Sequence, residues 1–297
     1  DIAYLGGSIK EAKKALSRLT QYNDEIRKSY RRINLLLESN YYLEKAKEIK
    51  LKRDVFMGEK ILDIEACKIH YCKKFKKEDN LTKQEILRNF VVDFAYNTTS
   101  IEGNTILLDE ARNLLESGKT PKDRTLREIY DLKNTEKVFL DYMDSKQEIT
   151  NELIEEIHKN LMENIDSRIG YRIRDVKVAK AHFKSTPGPY VLTDMKLLIK
   201  WYNKNKNKLH PLVLASAFHH KFEKIHPFMD GNGRTGRMIM NLILANHDYP
   251  PVIVYKKFRS EYLDVLGIAD KSKPLETNKE DYSKLAKFIS DQMNISY

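Results

Sequence analysis

The sequence predicts a mainly helical fold, in which a helical body carries one short β-hairpin flap and is preceded by a helical arm with a coiled-coil-like seam. Three observations predict it. Apolar residues recur at three- and four-residue steps through most of the 297 residues. Glycine and proline are sparse, at 11 and 8, and gather at a few breaks. One segment, 170–192, departs from the helical rhythm.

The arm is read over residues 1–80. From Ile9 the apolar positions run Ala12, Leu16, Leu19, Ile26, Tyr30, Ile33 and Leu37, interrupted by Asn23. A second run, from Tyr41 to Lys77, follows through Leu43, Ile49, Leu51, Ile61, Leu62 and Ile64. The two runs suit a hairpin or pairing with another chain, and a homodimer is permitted but not required. Cys67 and Cys72 flank His70. A structural zinc site takes about four protein ligands, and no second cysteine pair supplies them, so two idle or buried thiols on a helix are expected.

The body is read over residues 81–297. Thr82, with Glu85 three residues on, reads as a capping box opening a helix through Phe90 and Phe94 to Glu102, which Gly103 ends. Further helices are expected at 107–117, 125–144, 150–164, 193–206, 211–224, 233–247 and 280–293. Between them, Arg172–Arg174 and Val176–Val178 read as short extended stretches, and Pro187-Gly188-Pro189 is a turn that no helix tolerates. This is the expected flap.

Composition sets the outer bounds. Hydrophobic residues make up 41% and charged residues 32%, enough apolar content to bury a core. No run of eighteen apolar residues occurs, so no membrane-spanning helix is expected. No secretory leader is read at the start, and the cysteine usage suits a reducing cytoplasm. Most of the formal net charge of +10 falls in the first 90 residues. There the basic residues are interspersed with acids along helical faces, which favours a solvated surface over a nucleic-acid footprint.

The chemistry concentrates in His226 to Arg237, HPFMDGNGRTGR. A helix ends near Pro227, and Asp230-Gly231-Asn232-Gly233 leads into the next. Two glycines let several N–H groups face one concavity, and the following helix adds its free N–H groups and positive dipole end. Arg234 and Arg237 share a helix face, and guanidinium groups grip phosphate oxygens in a bidentate manner. Asp230 is a hard oxygen ligand suited to Mg²⁺. His226 at the rim is placed to take a proton from a hydroxyl. A base, a metal ligand, an anion nest and an arginine clamp are what in-line attack on a phosphate requires. Taken singly, each has a blander reading as a turn, a cap or a surface pair.

This stretch resembles the Fic family signature, His-x-Phe-x-(Asp/Glu)-Gly-Asn-Gly-Arg-x-x-Arg, at His226, Phe228, Asp230, Gly231, Asn232, Gly233, Arg234 and Arg237. Gly170-Tyr171-Arg172 with Val176 resembles the strand entering the family's target-binding flap. His210-Pro211-Leu212 and Phe222–Ile225 resemble the helix before the motif. The likeness spans roughly 84–292 and leaves residues 1–80 unmatched. It implies AMP transfer from ATP–Mg²⁺ to Ser, Thr or Tyr of a protein. By family role, His226 deprotonates the hydroxyl and Asp230 holds Mg²⁺. Gly231, Asn232 and Gly233 bind the inner phosphates, Arg234 and Arg237 the outer ones, and Phe228 plugs the core. A phosphorylating branch has Lys at the position of Gly233, so Gly233 favours AMP transfer. His182, Lys184 and Ser185 are assigned to the flap's target groove.

Thr98-Thr99-Ser100-Ile101-Glu102-Gly103 resembles the family's inhibitory helix, near 96–103, with Thr98, Glu102 and Gly103 as matching positions. A Glu102 carboxylate paired with Arg237 would take the place of the γ-phosphate from within the same chain. Removal of AMP from a modified protein would use the same residues, with Glu102 orienting water. A non-catalytic nucleotide-sensing or nucleic-acid-binding module is the reading from another class, and an intact His226 and Asp230 argue against it. His219 and Glu223 have the spacing of a metal pair without a third ligand, so one of His219 and His220 is expected inside and the other in solvent. Tyr255 and Tyr262 are expected to border the adenine or to pack.

Overall fold

A computed structural model describes residues 13–14, 24–49, 56–176 and 184–296. The described helices are α1 (Asp24–Lys47), α2 (Lys60–Lys73), α3 (Asn80–Ile101), α4 (Leu108–Ser117), α5 (Leu126–Tyr142), α6 (Asn151–Leu161), α7 (Val191–Asn205), α8 (Pro211–Ile225), α9 (Asn232–Asn246), α10 (Arg259–Ala269) and α11 (Lys279–Ser296). No strand occurs among the described residues. The expected flap is represented by non-helical stretches at 171–176 and 184–187, and His182 lies outside the described residues.

The centre is α8 packed against α9, the two joined by the motif loop. Every residue of α8 from Leu212 to Phe222 is buried, and so is every residue of α9 from Asn232 to Leu244. A helix enclosed on all sides needs neighbours on all sides. α7 and α11 cover α8, while α6, α5 and α3 cover α9. This burial puts the loop at the bottom of a depression instead of on the rim of the protein.

Three boundaries differ from those the sequence predicts. The arm does not break near residue 40: α1 continues to Lys47, and a turn at 56–59, where Gly58 takes φ +63°, leads into α2. Ser39 and Asn40 have only modestly poor helix propensity, whereas Gly58 supplies a conformation other residues resist. α3 is capped by Asp79, not Thr82. The Asp79 carboxylate accepts from the N–H groups of Leu81 and Thr82 and from the Thr82 hydroxyl. α10 was absent from the expected helices; its sequence, RSEYLDVLGIA, has a weak amphipathic pattern and an internal glycine.

The arm folds onto the body. α1 packs on α2, with Tyr42 edge-on to His70 and Glu38 paired with Lys74 at 3.0 Å. α2 in turn packs on α11, and Phe56, Met57, Ile61 and Ile64 join the main hydrophobic core. The Glu65 carboxylate accepts from the Tyr249 hydroxyl and lies 3.0 Å from His210. Packing therefore runs continuously across residue 80. Cys67 and Cys72 are both free thiols, facing Asn294 Oδ1 and the Asp248 carbonyl.

Candidate active site

The site begins where α8 ends. His226 takes a left-handed conformation, φ 54° and ψ 61°, which stops the helix and throws the chain into the loop. A non-glycine residue holds that conformation only if its surroundings fix it. Arg172 does so. Its guanidinium donates to the carbonyls of His226 (2.7 Å), Ile225 (3.2 Å), Arg174 (2.8 Å) and Thr186 (2.5 Å). The Arg172 backbone N–H donates to the Pro227 carbonyl at 2.8 Å. One buried arginine thus ties both limbs of the flap base to the residue expected to act as base.

The loop is then pinned from below. Phe228 is fully buried and stacks on His158 of α6, ring centroids 3.6 Å apart and planes within 2°. His158 Nε2 lies 3.0 Å from the Asp230 carbonyl, so that nitrogen carries the proton and donates. Burial pushes the His158 imidazole down to about 4, which keeps it neutral. The Asn232 amide closes a two-way clamp, accepting from Phe228 N–H and donating to Phe228 C=O, both at 2.9 Å. The Asn232 side chain is thereby spent on shaping the loop, and its backbone N–H remains at the N-terminus of α9. Gly231 has φ +76°, and a Cβ there would strike Met162 Sδ.

The two motif arginines separate. Arg237 is buried and donates from Nε to Thr98 Oγ1 (2.7 Å), and from Nη2 to Thr98 C=O (2.9 Å) and Glu102 Oε1 (2.7 Å). The pairing of Glu102 with Arg237 is the contact the sequence reading expects; the two bonds to Thr98 go beyond it. Arg234 turns the other way, pairing with Asp131 of α5 and touching Met162 Sδ. It does not line the cavity described next.

That cavity, about 980 Å³, is lined by His226, Asp230, Gly231, Asn232, Gly233, Arg237 and Glu102, with α10 forming the far wall. Its size suits a nucleotide. Glu102 lies directly over the start of α9: a Cβ added to Gly233 would sit 2.0 Å from Glu102 Oε1. A carboxylate at a helix N-terminus occupies the place the dipole and free N–H groups offer to an anion. Gly103, at φ +108°, ends α3 just beyond it, and Arg259 of α10 holds the Ile101 carbonyl at 2.9 Å. Tyr262 lines the cavity and meets His219 Nε2, whereas Tyr255 lies outside it.

The electrostatics suit the expected roles. Burial lowers the His226 imidazole below the usual histidine range, outweighing nearby carboxylates, so it is neutral at pH 7. Its Nδ1 is buried and closes no hydrogen bond. Burial raises Asp230, but its bond to Arg127 and the charge of Arg234 outweigh that and keep it anionic. Its Oδ1 accepts from Gly231 N–H at 2.6 Å, while Oδ2 is held by the partly exposed Arg127. An anionic carboxylate facing a cation at a cavity rim fits Mg²⁺, which needs one or two carboxylates plus phosphate oxygens.

Sequence reasoning passed over several participants. His158 and Arg172 hold the loop, and Arg127 and Asp131 hold its charged groups. His158 gave a faint signal, as a histidine among the apolar positions Ile154, Ile157 and Leu161. Arg172 was legible only as part of the strand entering the flap, and Arg127 and Asp131 gave no signal. Glu223 lines the cavity with its carboxyl pushed up to about 8 by burial, reinforced by Glu102. His219 and His220 are both buried, correcting the division between interior and solvent. Tyr262 receives the first, and Tyr282 with Asp270 the second, so the fold supplies partners for both. Among the described residues no group of three or more His, Cys, Asp or Glu is placed to hold a metal ion.

The fold and site are those of a Fic-type domain. Residues 148–244 match the family model described as Fic/DOC family, and that stretch of the chain belongs to the family. It is 34% identical over 202 residues to the protein adenylyltransferase Fic of Drosophila grimshawi, an overlap covering 66% of this chain and 40% of that protein. The chain thus spans about two fifths of that relative's length. Among solved structures it resembles a Fic-domain-containing signalling protein of Bacteroides thetaiotaomicron (TM-score 0.69, 23% identity, 77% of this chain and 93% of that one). It also resembles a fragment of Caenorhabditis elegans Fic-1 (TM-score 0.64, 24% identity, 99% and 83%). These two likenesses concern the fold.

Proposed function

We propose that this chain transfers the AMP part of ATP to a Ser, Thr or Tyr hydroxyl of another protein and that Glu102 holds the reaction in check. The observation that carries the reading is convergence: His226, the Gly231–Gly233 backbone, Asp230 and Arg237 line one cavity, and Glu102 stands in it. The adenylyltransferase name of the curated relatives agrees with it.

Neutral His226 takes the proton as the hydroxyl oxygen attacks the α-phosphorus, and the bond to pyrophosphate breaks. The N–H groups at the start of α9 cradle the inner phosphates. Asp230 would hold Mg²⁺, which supplies charge neutralisation to the leaving pyrophosphate when bound. Arg237 receives the outer phosphate once Glu102 leaves, and Arg234 acts from behind by fixing the loop against Asp131. The flap presents the target. In support, Ser185 Oγ reaches the Val176 carbonyl at 3.5 Å and Gly188 N–H donates to Asp175 at 2.7 Å, joining the two limbs at their base. Lys184 stands beside Ser185 on the descending limb.

No described helix is long and apolar enough to cross a membrane. Separately, the free thiols of Cys67 and Cys72 suit the reducing cytoplasm proposed for the chain.

With radiolabelled ATP and a cell extract, Glu102→Gly is expected to label protein at least tenfold faster than the wild type, and His226→Ala in that background to label none. Equal labelling by wild type and Glu102→Gly would remove the inhibitory role. Undiminished labelling by His226→Ala would remove the base.

A further inference from the structure

We propose that Arg127 is a positioning residue for the metal carboxylate, occupying Asp230 as a guanidinium stand-in for the divalent cation, so that the cation enters only as Arg127 leaves. The inference rests on the functional reading above and concerns how that same site is kept from loading.

Asp230 offers two oxygens. Oδ1 is tied inward, accepting from Gly231 N–H at 2.6 Å and lying 3.7 Å from Arg234 Nη2. Oδ2 is the oxygen left for an incoming cation, and Arg127 Nη2 holds it. A guanidinium and a dication drawn to one carboxylate oxygen repel each other, so each weakens the hold of the other. The Arg127 side chain is 53% exposed, so it can swing into water at little cost. This combination makes a displaceable placeholder, unlike the buried pair of Arg234 with Asp131.

The placement of Arg127 also joins it to the inhibitory segment. It lies in the first turn of α5, which Thr125 caps together with Glu128. The Glu128 carboxylate accepts from Thr105 N–H (2.9 Å) and Thr105 Oγ1 (2.6 Å), and the Glu128 carbonyl accepts from Asn104 Nδ2 (2.9 Å). Asn104 and Thr105 directly follow Gly103. One hydrogen-bonded unit therefore sets Glu102 over the anion nest and Arg127 over the metal carboxylate.

The test uses the full chain carrying Glu102→Gly. Magnesium is titrated while binding of a non-hydrolysable ATP analogue is followed by calorimetry and labelling rate is followed separately. An exposed pair is weak, so Arg127→Gln should lower the half-saturating magnesium concentration modestly, by up to about fivefold, in both readouts. The shift should shrink at high salt, where exposed charges are screened. Arg127→Lys, which keeps the charge, should restore a value near that of Arg127. An unchanged or raised half-saturation overturns the proposal. So does an equal loss of rate at every magnesium concentration, which marks a structural role, or weaker analogue binding without magnesium, which makes Arg127 a nucleotide ligand. If the Glu102→Gly protein labels targets but shows no magnesium shift, only Arg127's role fails. If it neither binds analogue nor labels, the functional reading fails with it.

Discussion

Arg237 is a buried cation held by Thr98 and Glu102 from one helix end. The carboxylate raises the guanidinium's hold on its proton even against burial. Replacing Thr98 by Val removes the acceptor for Nε while preserving shape, at a cost of about 1–3 kcal/mol because a buried donor is left unpaired. The inhibitory contact then weakens without being lost. Labelling by Thr98→Val should fall between wild type and Glu102→Gly, on the order of fivefold above wild type; a rate equal to wild type would show that Thr98 does not help hold Glu102. His226 gives a second prediction. Its folded pKa is lowered, so the neutral base persists as pH falls below the ordinary histidine value of about 6.5. The acid limb of the pH–rate profile of Glu102→Gly should turn down below pH 6.5, and a midpoint above it would contradict the burial argument. At this scale the motif residues could be read from sequence because twelve consecutive positions carry the nest, base and metal ligand. The role of Arg234 could not: its spacing from Arg237 fixes a shared face, but its partner Asp131 is distant in sequence. Nor does a signature reveal that the Asn232 amide spends both its arms on Phe228.

α6 supports the loop through one side chain. His158 stacks on Phe228 and donates to Asp230 C=O, two functions that substitution can separate. His158→Phe keeps the stack and loses the donor, so labelling in the Glu102→Gly background should drop by about tenfold while the fold survives. Titration adds a stability test. Burial lowers His158 to about 4 and His219 to about 3, below the unfolded value near 6.5. The unfolded chain therefore binds more protons between these values, and the stability that neutral histidines confer is complete above pH 6.5 and lost as pH falls toward 4. The melting temperature of His158→Phe should fall less steeply over pH 6.5–4.5 than that of the wild type; parallel slopes would contradict the assignment. Helix existence was readable from periodicity almost throughout the body, since its helices bury an apolar stripe or are apolar all round. What periodicity missed had local causes. The Asp79 cap lies three residues before Thr82, and both types cap helices. α10 carries too few periodic contrasts to stand out.

For the molecule as a whole, the arm and the body share one core. A division at residue 80 follows the motif resemblance, whereas Met57, Ile61 and Ile64 are buried with the body. Burial of such side chains is worth about 1.5–3 kcal/mol each. Truncation to residues 81–297 should therefore lose several kcal/mol and lower the melting temperature sharply, while a chain beginning at residue 56, which loses only the packing of α1 on α2, should melt between the two. Equal melting of all three would show that α2 is dispensable. The sequence could not foretell this, because an amphipathic helix presents the same stripe whether its neighbour is α1, α11 or another chain. The central claim is that base, anion nest and bound nucleotide meet at the α-phosphorus. Parallel incubation of Glu102→Gly with α-labelled and γ-labelled ATP and a protein target tests it most directly. The account predicts stable label from the α-phosphate and none from the γ-phosphate; label from γ, or from neither, would contradict it.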